Sequence, residues 1–384
     1  MSFLSRTPSS RPYNWNLPAA TVGIVVGWLL VNGFFLLKNG IVTTGEAEKY
    51  ICVAQDLVRT GHFESANFTF YSVIIILLSA CLKFHLSFGW IIAIQACFSL
   101  AATLYFHKTL LLLLRSPKLA FIGTFLLLLN FPYQSFNTFL QTESLFQSIS
   151  LLLICGLIQQ KKYSGRFLLI MLITLLLLSV IRPTGFLYWP VAGIYLFTVA
   201  LAKSRLALKI AAASAVLFLS LYAVNWAMNS GGELDFMRPF REDHIICGTP
   251  TLLYPRQIGS NDSGHSLYPF LTYIVHDFGR FIHLAGLKTL SFWAIFRNYY
   301  SLSHNLYLVA YFYPIILMAL FSAPSWIRHR PLPFLYVITP VLLTWLSVIL
   351  TCDDWSNRFF LSISPFIIML SLPTSSDTSS HNHY

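Results

Sequence analysis

The stretch Lys38 to Phe68, KNGIVTTGEAEKYICVAQDLVRTGHFESANF, decides how the rest of the chain is organised. It follows the apolar run 18–37 and holds four of the fourteen carboxylates in the chain, Glu46, Glu48, Asp56 and Glu64. A short helix here would place four polar residues along one side, namely Glu46, Tyr50, Gln55 and Asp56. Such a loop is either a solvated connector that caps a helix or part of a functional site.

The composition places the chain among membrane proteins. Hydrophobic residues make up 56% of the 384 residues and charged residues only 10%, whereas soluble domains carry about 25% charge. The formal net charge of +11 does not indicate a nucleic-acid partner, because the basic residues are scattered and many flank apolar runs. The sequence therefore predicts one all-α polytopic bundle over residues 1–372, with 18–37 as an uncleaved first span rather than a signal peptide.

The positive charges predict the topology, since lysine and arginine in short loops stay on the cytoplasmic side. The basic clusters are Arg6/Arg11, Lys108/Arg115/Lys118, Lys161/Lys162/Arg166, Lys203/Arg205/Lys209 and Arg328/Arg330. Keeping them all inside gives ten spans: 18–37, 88–107, 119–136, 141–160, 167–181, 184–202, 210–228, 304–323, 333–350 and 359–372. The short run 69–82 is assigned to a re-entrant or juxtamembrane helix within a first outer loop, 38–87. If 69–82 spans instead, at least one basic cluster lies outside.

This topology sorts the acidic residues, although it was derived from lysine and arginine alone. Thirteen of the fourteen carboxylates fall outside, and only Asp377 falls inside. The outer set is Glu46, Glu48, Asp56, Glu64, Glu143, Glu233, Asp235, Glu242, Asp243, Asp262, Asp277, Asp353 and Asp354. Acidic residues contribute little to orientation, so we expect the chemistry on the outer face.

Two further outer turns hold charged residues at the ends of spans. Glu143 follows a proline-containing turn and is expected at the start of a helix, where it either caps the helix or serves a site within the membrane. Arg182 begins the turn Arg-Pro-Thr-Gly between two short spans, where it either snorkels to headgroups or binds an anion.

The remaining outer segments are one large loop, 229–303, and one short turn. The large loop contains a predicted amphipathic helix at the interface, and its histidines, His244 and His265, lack metal-ligand spacing. The short turn, 351–360, crowds Asp353, Asp354 and Arg358, which are expected to pair with each other. The six cysteines show no paired spacing and imply no disulfide framework, and the polar tail 373–384 is predicted to be disordered.

Taken together, these motifs resemble the GT-C superfamily of membrane glycosyltransferases, in the bacterial branch related to protein O-mannosyltransferases and aminoarabinose transferases. The resemblance rests on GEAEKYICVAQDL with the tyrosine-containing run FYSVIIILL, Thr-Glu143 after a proline turn, Arg182-Pro-Thr-Gly, and Asn357-Arg-Phe-Phe with a proline in the final span. Together these motifs cover about half of the chain. The family usually has Asp where Glu46 stands, and the extra methylene moves the carboxylate by about an ångström.

The resemblance implies a GT-C-like fold and an inverting transfer of sugar from a polyprenyl-phosphate donor to a hydroxyl of a glycan, lipid or protein. It implies Glu46 as general base, Glu143 as a second acid, and Arg182 or Arg358 as phosphate ligand. The remaining residues assigned to substrate binding are Tyr50, Asp56, Asp353 and Asp354. No cofactor is predicted, although a divalent metal stays open. The expected location is the bacterial inner membrane, with the site facing outside.

Two other classes of function remain open at this point. A transporter or flippase of lipid-linked saccharides would have a similar number of spans, but the sequence shows no internal repeat of the kind that transporters carry. A polymerase or ligase of the O-antigen type would also have a large outer loop with arginine and histidine. The acidic first loop favours the glycosyltransferase, because those enzymes place their main loop late in the chain.

Overall fold

A computed structural model of the chain describes residues 17–160, 162, 164–200, 237–248 and 267–374, together with isolated positions between 207 and 225. The regular structure in these residues is helical and contains no strand, only two isolated β-bridges. The predicted span 210–228 lies almost entirely outside the described residues, as does the part of the large loop around His265.

Four described helices are long and apolar enough to cross a membrane, and a bent pair raises that number to five if the pair is one span. They are α1 (Leu17–Asn39), α4 (Gly89–Leu114), α13 (Leu302–His329) and α14 (Pro331–Leu350). The bent pair is α5 (Pro117–Leu129) with the segment Phe131–Thr138, at an angle of 59°. A helix rises 1.5 Å per residue, so about 20 residues reach across a hydrocarbon core. The chain is therefore an all-helical membrane protein.

The other described helices are shorter. They are α2 (Glu46–Thr60), α3 (Ser72–Lys83), α6 (Phe131–Ser135), α7 (Glu143–Gln159), α8 (Gly165–Ile181), α9 (Trp189–Tyr195), α10 (Arg238–Arg241), α11 (Leu267–His276), α12 (Phe278–Ala294) and α15 (Arg358–Ser371). Short 3-10 segments precede α3 and α9, at Ala66–Tyr71 and Pro183–Tyr188, and another follows α6 at Phe136–Thr138. Nine of the ten predicted spans fall wholly or largely on described residues and overlap helical segments, but only the five named above match helices that are long and apolar enough to cross a membrane. The predicted span 119–136 is broken at Asn130, whose side chain caps α6.

The centre of the bundle consists of two short helices, α7 and α15. Almost every residue of both is buried, and α7 packs against α4 while α15 packs against α13 and α14. A helix that is apolar on all sides must be surrounded by other helices, which explains why these two lie inside the longer ones. Both helices begin with a charged residue, Glu143 and Arg358, so their N-termini bring charge into the interior.

The predicted first loop forms a small helical layer of its own. One face of α2, with Ala47, Tyr50 and Ala54, packs against Ile74 and Leu78 of α3. The apolar run 69–82 thus lies beside the loop helix, as expected. The twelve residues of α3 reach only about 18 Å at 1.5 Å per residue, which is less than a bilayer core.

A disulfide between Cys247 and Cys352 corrects the prediction that the cysteines imply no pairing. The two residues are 105 positions apart, so local spacing could not reveal the bond. It joins the described part of the large loop to the turn before α15, and a backbone bridge between Ile246 and Asp353 lies next to it.

The described start of the predicted tail is ordered by contacts with α13. Trp326 donates to the carbonyl of Leu372 at 2.9 Å, and the hydroxyl of Ser325 donates to the carbonyl of Thr374, also at 2.9 Å. Thr374 is buried. Residues 373 and 374, which were predicted to belong to a disordered tail, are therefore ordered, and 375–384 lie outside the described residues.

Candidate functional site

Two separate loops meet at the start of the candidate site. The backbone N–H of Val42 donates to the carbonyl of Thr138 at 2.9 Å, and the N–H of Leu140 donates to the carbonyl of Val42 at 3.1 Å. These bonds fix the entry to α2 beside the entry to α7. Glu46, the first residue of α2, and Glu143, the first residue of α7, are thereby brought to the same end of the bundle.

Glu143 is completely buried and accepts hydrogen bonds from two arginines. Its Oε1 lies 3.1 Å from Nη1 of Arg182 and 3.1 Å from Nη1 of Arg358. The carboxylate sits in the first turn of α7, where the helix dipole favours negative charge. Helix capping alone does not require two guanidinium partners, so this position combines a helix-terminal role with membership of a charge cluster.

Arg182 is held by the tight turn that follows α8. Its backbone is extended, as expected for a residue before proline, and its side chain is only 8% exposed. Gly185 makes the turn possible, because a Cβ at this position would lie 2.2 Å from the carbonyl oxygen of Leu178. The guanidinium also lies 5.1 Å from the ring centroid of Phe359. Of the two predicted alternatives, snorkelling to headgroups is therefore excluded in this conformation, and ion pairing takes its place.

Arg358 is the centre of the cluster and contacts three carboxylates. Both of its terminal nitrogens donate to Glu46, with Nη2 2.7 Å from Oε1, and Nη2 also donates to Asp354. With the contact to Glu143, one guanidinium joins three chain segments. A cation at a helix N-terminus opposes the helix dipole, so the position of Arg358 depends on these carboxylates.

The charges of the cluster sum to minus one, because three carboxylates share two guanidiniums. Burial alone would raise the pKa of Glu46, but the hydrogen bond and charge of Arg358 outweigh it and lower that pKa. Burial opposes ionisation of Asp354 in the same way, and the charge and hydrogen bond of Arg358 again lower its pKa. Both carboxylates are thus ionised at neutral pH.

The expectation that the charged residues of the last turn pair with each other holds for Asp354 and Arg358 but is wrong for Asp353, which pairs with a residue of the large loop. Oδ2 of Asp353 lies 2.5 Å from Nη2 of Arg297 and 2.8 Å from the hydroxyl of Ser291. Arg297 is buried and also donates to the carbonyl of Asp354 at 3.3 Å. No local pattern marks Arg297, because it is one of several basic residues in the large loop.

Three further contacts fix the turn that holds Asp354 and Arg358. The fully buried Lys288 donates to the carbonyl of Thr351, and Asn357 donates to the carbonyl of Ile295 at 2.5 Å from a left-handed conformation. The disulfide at Cys352 is the third. These contacts make the turn a rigid support for the two charged residues.

The residues predicted on α2 separate into two groups. The hydroxyl of Tyr50 lies 3.4 Å from Oε2 of Glu46, so Tyr50 belongs to the cluster. Asp56 does not, because its side chain pairs with the exposed Arg59 at 2.8 Å. Asp56 is ten residues, about 15 Å, further along α2 than Glu46. At 100° per residue, Gln55 lies about 180° around the helix from Glu46, so the expectation of one polar side was wrong for Gln55.

In the part of the chain that the structure describes, no three His, Cys, Asp or Glu side chains are grouped so that they could hold a metal ion. His244 contacts Glu242 at 2.8 Å instead. The carboxylates of the cluster are occupied by arginine.

An apolar groove lies beside Arg182 and has a volume of about 430 Å³. Its walls come from the 3-10 segments 66–71 and 183–188 and from α8, with residues Phe70, Ile173, Leu176, Leu177, Ser179, Val180, Phe186 and Trp189. The walls are apolar, and Arg182 is not among the lining residues, although it directly precedes the segment 183–188. Walls of this kind suit an apolar chain.

Comparisons with protein-family models, with curated proteins and with solved structures found no match.

Proposed function

We propose that this protein is a membrane glycosyltransferase that transfers a sugar from a polyprenyl-phosphate donor to an acceptor hydroxyl. The observation that carries the proposal is the meeting of Glu46, Glu143, Arg182 and Arg358, which come from four distant segments, in one buried cluster. The four residues are those that the GT-C resemblance assigns to catalysis and phosphate binding. The proposed fold is the GT-C-like bundle of ten spans, with α2 and α3 as its first outer loop.

In the proposed reaction, Glu46 accepts the proton of the acceptor hydroxyl as its oxygen attacks the anomeric carbon. The bond between that carbon and the donor phosphate oxygen breaks, and the electron pair leaves with polyprenyl phosphate. Arg358 and Arg182 stabilise the negative charge that grows on the phosphate. Attack opposite the leaving group inverts the anomeric centre. Glu46 suits the role of base because its side chain is 40% exposed and an acceptor can reach it from solvent.

The apolar groove beside Arg182 supports a lipid-linked donor. An isoprenoid chain lying against Phe70, Phe186 and Trp189 would run beside the segment 183–188, which directly follows Arg182. A free nucleotide sugar would leave these apolar walls unused.

The disulfide supports a site on the outer face of a bacterial inner membrane. Disulfides persist in oxidising compartments and are rare in the cytosol. Cys352 immediately precedes Asp353 and Asp354, so the bond and the cluster lie on the same side of the membrane.

The experiment is a transfer assay in liposomes with a panel of polyprenyl-phosphate sugars and a hydroxyl acceptor mixture. The wild type is expected to release polyprenyl phosphate, and Glu46→Gln is expected to reduce turnover by ~10²–10⁴-fold because the general base is lost. Glu48→Gln is the matched control, since Glu48 is exposed and lies on another face of α2.

If Glu46→Gln keeps the turnover of the wild type, a residue other than Glu46 is the general base. If the wild type neither transfers a sugar from any donor of the panel nor binds polyprenyl phosphate, the proposed function is wrong.

A further inference from the structure

The guanidinium of Arg358 is almost fully occupied by carboxylates of its own chain. Arginine has five N–H donors, and the two terminal nitrogens, which carry four of them, face Glu46, Glu143 and Asp354. The fifth donor, the buried Nε of Arg358, has no hydrogen-bond partner among the described residues. A phosphate approaching Arg358 therefore finds one free donor and three competing anions.

The charge of the cluster also opposes phosphate binding. With three carboxylates and two guanidiniums, a phosphate would add negative charge to a buried group that is already net negative. Like charges close together in a medium of low dielectric repel strongly. The conformation in the structure is thus closed to the phosphate, and one carboxylate has to leave Arg358 before the donor can bind.

Glu46 is the carboxylate best able to leave. Its side chain is 40% exposed, whereas the side chains of Glu143 and Asp354 are 0% and 4% exposed. Glu143 keeps Arg182 as a second partner, and Asp354 accepts from the backbone N–H of Ser356 at 2.8 Å.

The backbone before Glu46 is suited to such a movement. Gly40 and Gly45 both have positive φ, 62° and 69°, and nothing lies within 4 Å of a Cβ built on either. They are the first and last residues of the six-residue connection between α1 and α2. Val42 is held by its hydrogen bonds to Thr138 and Leu140, whereas Gly45, directly before Glu46, lies in open space, where glycine rotates at little steric cost.

Building on the proposed function, we propose that Glu46 is an internal competitor for the phosphate site on Arg358, and that the donor phosphate displaces it. The same exchange frees the carboxylate that accepts the acceptor proton. Glu46 is thereby withheld as a base until a donor is bound. The ion pair between Glu46 and Arg358 is an autoinhibitory contact of the empty enzyme.

The test measures binding of a polyprenyl phosphate without sugar to the full-length protein in nanodiscs. A catalytic base alone would leave this affinity unchanged in Glu46→Gln. The internal competitor predicts that Glu46→Gln binds at least about tenfold more tightly, equivalent to about 1.4 kcal/mol. Glu46→Ala, which also removes the side-chain acceptor, should bind at least as tightly. Glu48→Gln should match the wild type, and polyprenol, which lacks the phosphate, should bind all four proteins equally.

Unchanged or weaker binding in both Glu46 variants, with thermal stability retained, would overturn the competition. Arg358→Gln separates this failure from failure of the proposed function. If Arg358→Gln loses phosphate-dependent binding while Glu46→Gln binds like the wild type, the site stands and only the competition is wrong. If no variant distinguishes polyprenyl phosphate from polyprenol, both proposals fall.

Discussion

The buried pair of Glu143 and Arg182 gives a prediction about stability, because its two members are not equally replaceable. Glu143 has a second guanidinium partner in Arg358, also at 3.1 Å. Arg182 has Glu143 as the carboxylate it contacts, at 3.1 Å, with side chains that are 8% and 0% exposed. Removing the acid therefore leaves a buried cation without a carboxylate, whereas removing Arg182 leaves the acid paired.

The two substitutions should differ in cost. Glu143→Leu is expected to lower the free energy of unfolding by about 3–5 kcal/mol, the cost of an uncompensated buried charge. Arg182→Met should cost about 1.5–3 kcal/mol, the contribution of one hydrogen bond to a charged group, because Arg358 still donates a hydrogen bond to Glu143. The double variant should be more stable than Glu143→Leu alone, since it contains neither charge.

The assay is a double-mutant cycle on unfolding in mixed micelles, followed by the loss of helical circular dichroism. The wild type is expected to be the most stable and Glu143→Leu the least stable. Arg182→Met and the double variant should lie between them, in either order. If Arg182→Met costs more than Glu143→Leu, Arg358 does not share the acid. If the double variant equals the sum of the single effects, the two residues are not coupled.

Two further predictions concern the support of the cluster. Cys247 and Cys352 should react with a membrane-impermeant maleimide added outside the cell only after the disulfide is reduced. Reduction should lower the free energy of unfolding by up to about 4.7 kcal/mol for a loop of this length. If the two cysteines are labelled only from the cytoplasm, the proposed topology is reversed. Burial lowers the pKa of Lys288 to about 7, whereas in the unfolded chain Lys288 stays protonated up to about pH 10.4. The unfolded state therefore binds more protons between these pH values, and the free energy of unfolding should rise above pH 7 by at most about 1.4 kcal/mol per pH unit. Lys288→Met should remove that rise, and an unchanged pH profile would contradict the assignment.

Local patterns in the sequence were sufficient to locate the helices. Apolar runs mark where helices lie, and the acidic residue after the turn 130–142 was expected at a helix start, where α7 does begin. The same reasoning placed the short run 69–82 beside the first loop. These features depend on neighbours in the chain, which periodicity and turn residues report directly.

The contacts of the site are non-local and left no such signal. Arg358 meets Glu46 across 312 positions and Glu143 across 215, and the disulfide joins residues 105 apart. Nothing in a single sequence specifies which of many arginines meets a given acid. For that reason Arg297, the partner of Asp353, was missed, and Asp56 was grouped with Glu46 although it faces Arg59.

The energetics of the cluster argue for function over stability. Arg358 stands at a helix N-terminus, where the dipole disfavours a cation, and it is desolvated among three acids. Buried ion pairs seldom stabilise a protein more than apolar residues of the same size would. A single acid would neutralise Arg358, so the second and third carboxylates add repulsion that stability does not require. Charged groups placed in this way within a membrane protein are expected to serve a substrate. An anionic substrate could contact Arg358 without raising the negative charge of the cluster only if Glu46 moves away.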